Sequence, residues 1–172
     1  MPNPTFDATR IYVQMARYNT WMNEKLLAEC SKTSDEQRKT ERSVPFHSLH
    51  GLWNHLLLTN KSWLGRFNNQ PFPMKSLDEI LFEDWDELQA EHARTDALIA
   101  SFAATLTPEI LDSTLKFVRM GEARELPYFL AVSHLFNHQT HHRGQITAVM
   151  EQIGLDCGVT DLGAMPMMIG LG

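Results

Sequence analysis

With only two cysteines in 172 residues, Cys30 and Cys157, the chain can build neither a disulfide framework nor a cysteine-rich zinc ribbon. Long apolar runs are missing too: no segment approaches the roughly 18 residues that mark a membrane span. The opening Met1-Pro2-Asn3-Pro4-Thr5-Phe6-Asp7 has no basic stretch followed by an apolar one. No signal peptide is therefore expected, and a reduced cytoplasmic setting is. Positive charge is in deficit. A net charge of −6 argues against a nucleic-acid partner, which would need a basic surface. No repeat of fixed period occurs, nor a Gly-rich phosphate loop, a Gly-x-Ser-x-Gly elbow or a His-Glu-x-x-His helix. Glu-x-x-His is absent as well, which removes the di-iron carboxylate bundle.

What is present reads as one domain from 1 to 172, with 43% hydrophobic and 21% charged residues as in ordinary globular chains. Helical periodicity dominates. Tyr12, Met15, Ala16, Asn19, Met22, Asn23, Leu26, Leu27 and Cys30 share one face of a segment from about Phe6 to Ser31. A charged linker from Ser34 to Ser43 has room for one helical turn. A second helix is predicted from about Phe46 to Asn68, with Leu49, Leu52, Leu56 and Trp63 inward, and Pro71 and Pro73 follow its end. Ser76 and Glu79 have the spacing of a capping box, which predicts a third helix from about Leu77 to Leu106. Gly121, between Leu115–Val118 and Ala123–Leu126, suggests a short hairpin. A fourth helix is then expected from Pro127 to Gly154. Four amphipathic helices and almost no strand imply an all-α four-helix bundle.

The chemistry concentrates in histidine. Four of the eight lie between positions 134 and 142. Residues four apart share a helix face, so His138 and His142 can grip one ion. On a wheel of about 3.6 residues per turn they fall among Leu135, Ile146 and Val149, whereas His134 and His141 lie nearer the edge of that stripe. A third ligand must come from another helix, and His55 shares its face with Leu52, Leu56, Thr59 and Trp63. His92 is a reserve candidate, more in keeping with a hydrogen-bonded core residue. Packed neutral imidazoles need partners for their nitrogens, and a cation satisfies several at once. Three neutral ligands would leave coordination positions open, the pattern of catalytic sites, where bound water or a thiol becomes a nucleophile.

Other polar residues on inward faces are pocket candidates. Asn19 and Asn23 either point toward a metal cavity or hydrogen-bond within the bundle, and Gln145 lies close in angle to His138. Arg143 points away from the histidine pair, toward an ion pair or a subunit contact. Tyr18 and Trp21 fall off the main stripe, as outer packing would. The tail methionines Met165, Met167 and Met168 read as packing.

Three stretches carry a family resemblance over nearly the whole chain: Tyr18-Asn19-Thr20-Trp21-Met22-Asn23, Ser48-Leu49-His50-Gly51-Leu52-Trp53-Asn54-His55, and Asn137-His138-Gln139-Thr140-His141-His142-Arg143-Gly144-Gln145. Together they resemble the DinB family, the DinB/YfiT-like metalloenzymes. The resemblance implies an up-down-down-up bundle, often dimeric, with a divalent metal on three histidines that map to His55, His138 and His142. Zinc, nickel and iron are the ions expected. Characterised relatives include thiol-cofactor-dependent transferases and a mycothiol-using maleylpyruvate isomerase. The expectation for this chain is a metal-dependent transferase or hydrolase in small-molecule detoxification or stress, working with an external low-molecular-weight thiol. The competing expectation is a non-catalytic metal-binding or dimeric interaction protein.

Overall fold

The fold is that of a computed structural model, which describes residues 7–119 and 121–166. The expected start at Phe6 and the methionines Met167 and Met168 lie outside them. Helix α1 (Thr9–Cys30) buries Ala16, Asn19, Met22, Asn23, Leu26, Leu27 and Cys30, as the spacing of its apolar residues predicts. Tyr18 is buried with them rather than packed outside. Helix α2 (Asp35–Lys39) is the single turn anticipated in the charged linker, opened by a Ser34/Gln37 capping box.

Helix α3 (Leu49–Phe67) begins three residues later than its apolar pattern suggests. Phe46 and His47 take φ of 60° and 64°, a left-handed conformation that cannot enter a right-handed helix, and the Ser48 hydroxyl caps the Gly51 N–H at 2.9 Å.

The largest departure concerns the third long helix. Helix α4 (Trp85–Thr105) starts at an Asp84 cap, not after Ser76. Residues 77–84 are instead held on α3: the Asn54 side chain accepts the N–H groups of Leu81 and Phe82 and donates to the Phe82 carbonyl. Glu79, read as half of a capping box, accepts the Lys75 N–H. The Asn54 side-chain amide thus captured backbone groups that a helix would have used.

Helix α5 (Pro108–Leu111) leads into an antiparallel hairpin of β1 (Thr114–Arg119) and β2 (Glu122–Pro127), in register from Thr114↔Pro127 to Arg119↔Glu122. Gly121, at φ 80°, supplies the left-handed turn that a two-residue connection requires. Helix α6 (Tyr128–Gln152) closes the bundle. It ends in a Schellman arrangement, with Gly154 at φ 82° and the Leu155 N–H on the Met150 carbonyl at 2.9 Å.

Side-chain contacts give the helix directions. Trp53 meets His92 and Phe67 meets Phe102, so α3 and α4 run parallel. Asn19 meets Asp96 and Ser31 meets Gln89, so α1 and α4 are antiparallel. His55 meets His138 while Trp63 meets His134, which sets α3 against α6. Tyr12 meets Ser133 and Asn19 meets Arg143, so α1 runs with α6. The path is up-down-down-up. Two apolar clusters fill the bundle, one around Met22, Leu52, Trp53, Leu88 and Ile146, the other around Trp63, Ile99, Leu135 and Phe136. No helix among the described residues is long and apolar enough to cross a membrane.

Candidate metal centre

Antiparallel packing of α3 against α6 brings His55 opposite the His138/His142 pair. The Nε2 of His138 lies 3.4 Å from the Nε2 of His55 and 3.1 Å from the Nε2 of His142. One nitrogen from each ring lies within 4.8 Å of the others. Two nitrogens bound about 2.05 Å from one ion at angles between about 90° and 110° are roughly 2.9 to 3.4 Å apart. The two separations from His138 fall in that interval.

Protonation follows from the far side of each ring. The Nδ1 of His55 faces the Leu77 carbonyl at 2.7 Å, and a carbonyl only accepts. The Nδ1 of His142 faces the Oε1 of Gln145 at 2.8 Å. Both Nδ1 atoms therefore carry the proton, and both Nε2 lone pairs are bare. They converge on the Nε2 of His138, which could donate to one of them at most. A shared cation satisfies all three, so this donor set could hold a divalent ion.

The electrostatics point the same way. Burial, then the neighbouring imidazoles, push the pKa of His138 down to about 3. Burial lowers His142 to about 4 against its bond to Gln145, and lowers His55 against its bond to Leu77. All three rings are neutral at pH 7, the form that binds metal.

Phe46 is the site residue that sequence reasoning missed. Its ring stacks on His55 at a centroid distance of 3.6 Å and meets the edge of His142 at 5.6 Å. Gly51 makes this approach possible: a Cβ there would lie 2.0 Å from the Phe46 carbonyl oxygen. The glycine one turn before His55 was the only available signal. The Leu77 carbonyl belongs to the connector expected to be helical, so it carried no signal at all.

The remaining candidates fall elsewhere. His134 is exposed, its ring 5.6 Å from that of His138, and His141 lies 4.8 Å from His142 on the outer face. His92 is fully buried, with Nε2 on the Trp53 carbonyl at 3.0 Å, and burial lowers its pKa to about 4. His50 is committed to the Phe82 carbonyl at 2.9 Å. Gln145 contacts the site through His142 and places its amide nitrogen 3.3 Å from His141.

Asn19 and Asn23 take the second of their two alternatives. Their amide nitrogens donate to Asp96 at 2.8 to 3.1 Å, and their oxygens accept from Arg143 at 2.5 and 3.3 Å. Arg143 does point away from the pair, but into the bundle, with its guanidinium 5.2 Å from the Tyr18 ring centroid. Burial raises Asp96 to about 7, against the amide donors and the Arg143 charge. The two amides thus bridge a buried carboxylate and a buried guanidinium.

Comparison with known proteins identifies the family and agrees with the fold. The model of the DinB family matches residues 1–168. Protein DinB of Bacillus subtilis (strain 168) is 24% identical over 155 residues, 87% of this chain and 90% of that one. The crystal structure of a DinB-like protein from Bacillus cereus ATCC 10987 superposes with a TM-score of 0.66 at 23% identity, covering 86% of this chain and 94% of the other. That likeness speaks for the fold.

Proposed function

The chain belongs to the DinB family, and from that premise we propose a divalent-metal-dependent enzyme of the thiol-dependent transferase or hydrolase class, with His55, His138 and His142 as ligands. The supporting observation is the pair of bare Nε2 lone pairs, fixed by carbonyl acceptors on the far side of each ring and aimed at a third imidazole. Zinc, nickel or iron bound there would supply Lewis acidity with open coordination positions, which at neutral pH favours the deprotonated form of a water or a thiol.

The chain's own residues prepare that chemistry. The Leu77 carbonyl and Gln145 orient His55 and His142, and Phe46 covers one face of His55 and shields it from water. No thiol of the chain serves as nucleophile. Cys30 and Cys157 are both buried, burial raises both pKa values, and the Cys30 thiol reaches about 12. An external low-molecular-weight thiol fills that role. A small-molecule substrate, a homodimer and a part in detoxification or stress response belong to the same reading.

The test is a panel of thiol-to-electrophile conjugations and hydrolyses on protein purified without an affinity tag. Each is run metal-loaded, chelated and as His138→Ala. Turnover that disappears on chelation and in the variant supports the enzyme. A large loss of thermal stability on chelation with no turnover on any substrate would overturn it in favour of a structural metal.

A further inference from the structure

A cleft of about 890 Å³ opens between the last turns of α3, the loop that follows and the β-hairpin. That is a normal size for a small-molecule site. Its charge is unlike that of the chain as a whole. Arg66, Lys116, Arg119 and Arg124 line it with a single carboxylate, Glu125, in a protein of net charge −6. Arg124 is paired with Glu122. Arg66, Lys116 and Arg119 form no ion pair among the described residues.

Arg66 is held in place. Its guanidinium lies 4.4 Å from the Trp63 ring centroid and 5.0 Å from that of Phe117, so it bridges α3 and β1 on two aromatic rings. Arg119 is near enough that its charge, after burial, lowers the pKa of Arg66. Arg66 and Arg119 line the same cleft without an ion pair, the Glu122 opposite Arg119 being taken by Arg124, and their planar donors suit an oxyanion. Fastening the hairpin to α3 would explain Arg66 alone and would be better served without a second like charge.

None of the described residues lining the cleft is a histidine, but ring contacts lead from it toward the candidate metal centre. Trp63 touches Phe117 at 5.9 Å and His134 at 5.1 Å, and His134 lies 5.6 Å from His138. A run of ring contacts thus joins Phe117 of the basic cleft to the edge of that centre.

We propose that this cleft is an oxyanion subsite, in which Arg66 and Arg119 bind the carboxylate or phosphate of the small molecule whose other end reaches His55, His138 and His142. The second clause rests on the metal-enzyme reading; the anion site itself does not.

The test is calorimetric titration with succinate and with inorganic phosphate, on metal-loaded and on chelated protein. Saturable binding that weakens with salt and is unchanged by chelation is expected, with each of Arg66→Gln and Arg119→Gln weakening it about tenfold. Arg119 stands on the exposed hairpin, so its variant reports even where Arg66→Gln disturbs packing. Preference for one probe tells a carboxylate ligand from a phosphate one. Absence of saturable binding overturns the proposal. So does binding that vanishes on chelation and ignores both arginine variants, because the anion would then sit on the metal. Arginine-dependent binding in a protein with no turnover on any substrate would uphold the anion site and count against the enzyme reading alone.

Discussion

Replacing His138 with alanine is the sharpest perturbation of the centre, because its Nε2 is the atom that both other rings approach, at 3.1 and 3.4 Å. Complete four-ligand zinc sites bind with about 10–16 kcal/mol, so one nitrogen accounts for roughly 3–4 kcal/mol, two to three orders of magnitude in Kd. The loss has a thermal signature. At a free metal concentration about 1,000 times the wild-type Kd, the ion stabilises the fold by about 4 kcal/mol. In a domain of this size that raises Tm by roughly 8–16 °C. At the same concentration His138→Ala would sit at about 1 to 10 times its own Kd. It would keep only about 0.4–1.4 kcal/mol, a rise of less than about 6 °C. The assays are competition against a chromophoric chelator and differential scanning calorimetry, each with elemental analysis. His50→Ala is the control: that ring is also buried, but its Nε2 serves the Phe82 carbonyl, so the metal-dependent Tm rise should survive. One tightly held ion per chain in His138→Ala, with an undiminished Tm rise, would refute the ligand assignment.

Five further outcomes are expected. Gln145→Leu frees the Nδ1 of His142 and should weaken metal binding about 10–100-fold by chelator competition, with little change in the melting of the metal-free protein. Gly51→Ala forces the Phe46 backbone off α3 and should cost about 1–3 kcal/mol in denaturant unfolding while also weakening metal binding. Acid acts with a definite sign: the folded pKa of His92 is about 4 against 6.5 for the free group, so the unfolded chain binds more protons between those values. Stability of the metal-free protein should fall as pH drops from 6.5 toward 4, by on the order of 3 kcal/mol for this residue, and a flat profile there would contradict its burial as a neutral ring. His138 and His142 act in the same direction, so metal should stay bound down through pH 6.5 and leave only at lower pH. Arg143→Met should destabilise the fold by about 1–3 kcal/mol in denaturant unfolding, by leaving the buried Asn19 and Asn23 oxygens without their donor, and adding Asp96→Leu should recover part of that.

The legible parts of the site were those fixed by helix geometry alone. His134 and His138 share the spacing of four, but His138 and His142 could be chosen because only that pair falls within the stripe of Leu135, Ile146 and Val149. His55 could be chosen because it shares a face with Leu52, Leu56, Thr59 and Trp63. The hairpin turn at Gly121 was equally local. The helix boundaries failed where distant groups intervened. Ser76 and Glu79 have the right spacing for a cap, but Asn54, more than twenty residues earlier, claims the Leu81 and Phe82 backbone instead. Phe46 was invisible for a related reason: its place against His55 depends on a left-handed backbone and on the missing Cβ of Gly51, neither of which has a periodicity. Arg143 points away from the histidine pair as expected, but its burial was not legible, because a buried charge is favourable only when partners from another helix, here Asn19 and Asn23, are in place.

Those partners give the Asn137–Gln145 segment its second purpose. His142 and Arg143 are consecutive, so about 100° of helix rotation separates a face turned to α3 from one turned to α1. A rotation of α6 that withdrew His142 from His55 would also pull the guanidinium away from Asn19 and Asn23, stranding the Asp96 carboxylate in the interior. Buried charges of this kind are poor sources of net stability but can define register well, since displaced arrangements leave a charge uncompensated. Apolar side chains at 96 and 143 would pack over a range of rotations. The charged layer admits one, and in that one the Nε2 atoms of His138 and His142 face His55. An Arg143→Met/Asp96→Leu chain should therefore regain stability without regaining metal affinity. Equal recovery of both would show that apolar packing alone sets the rotation of α6.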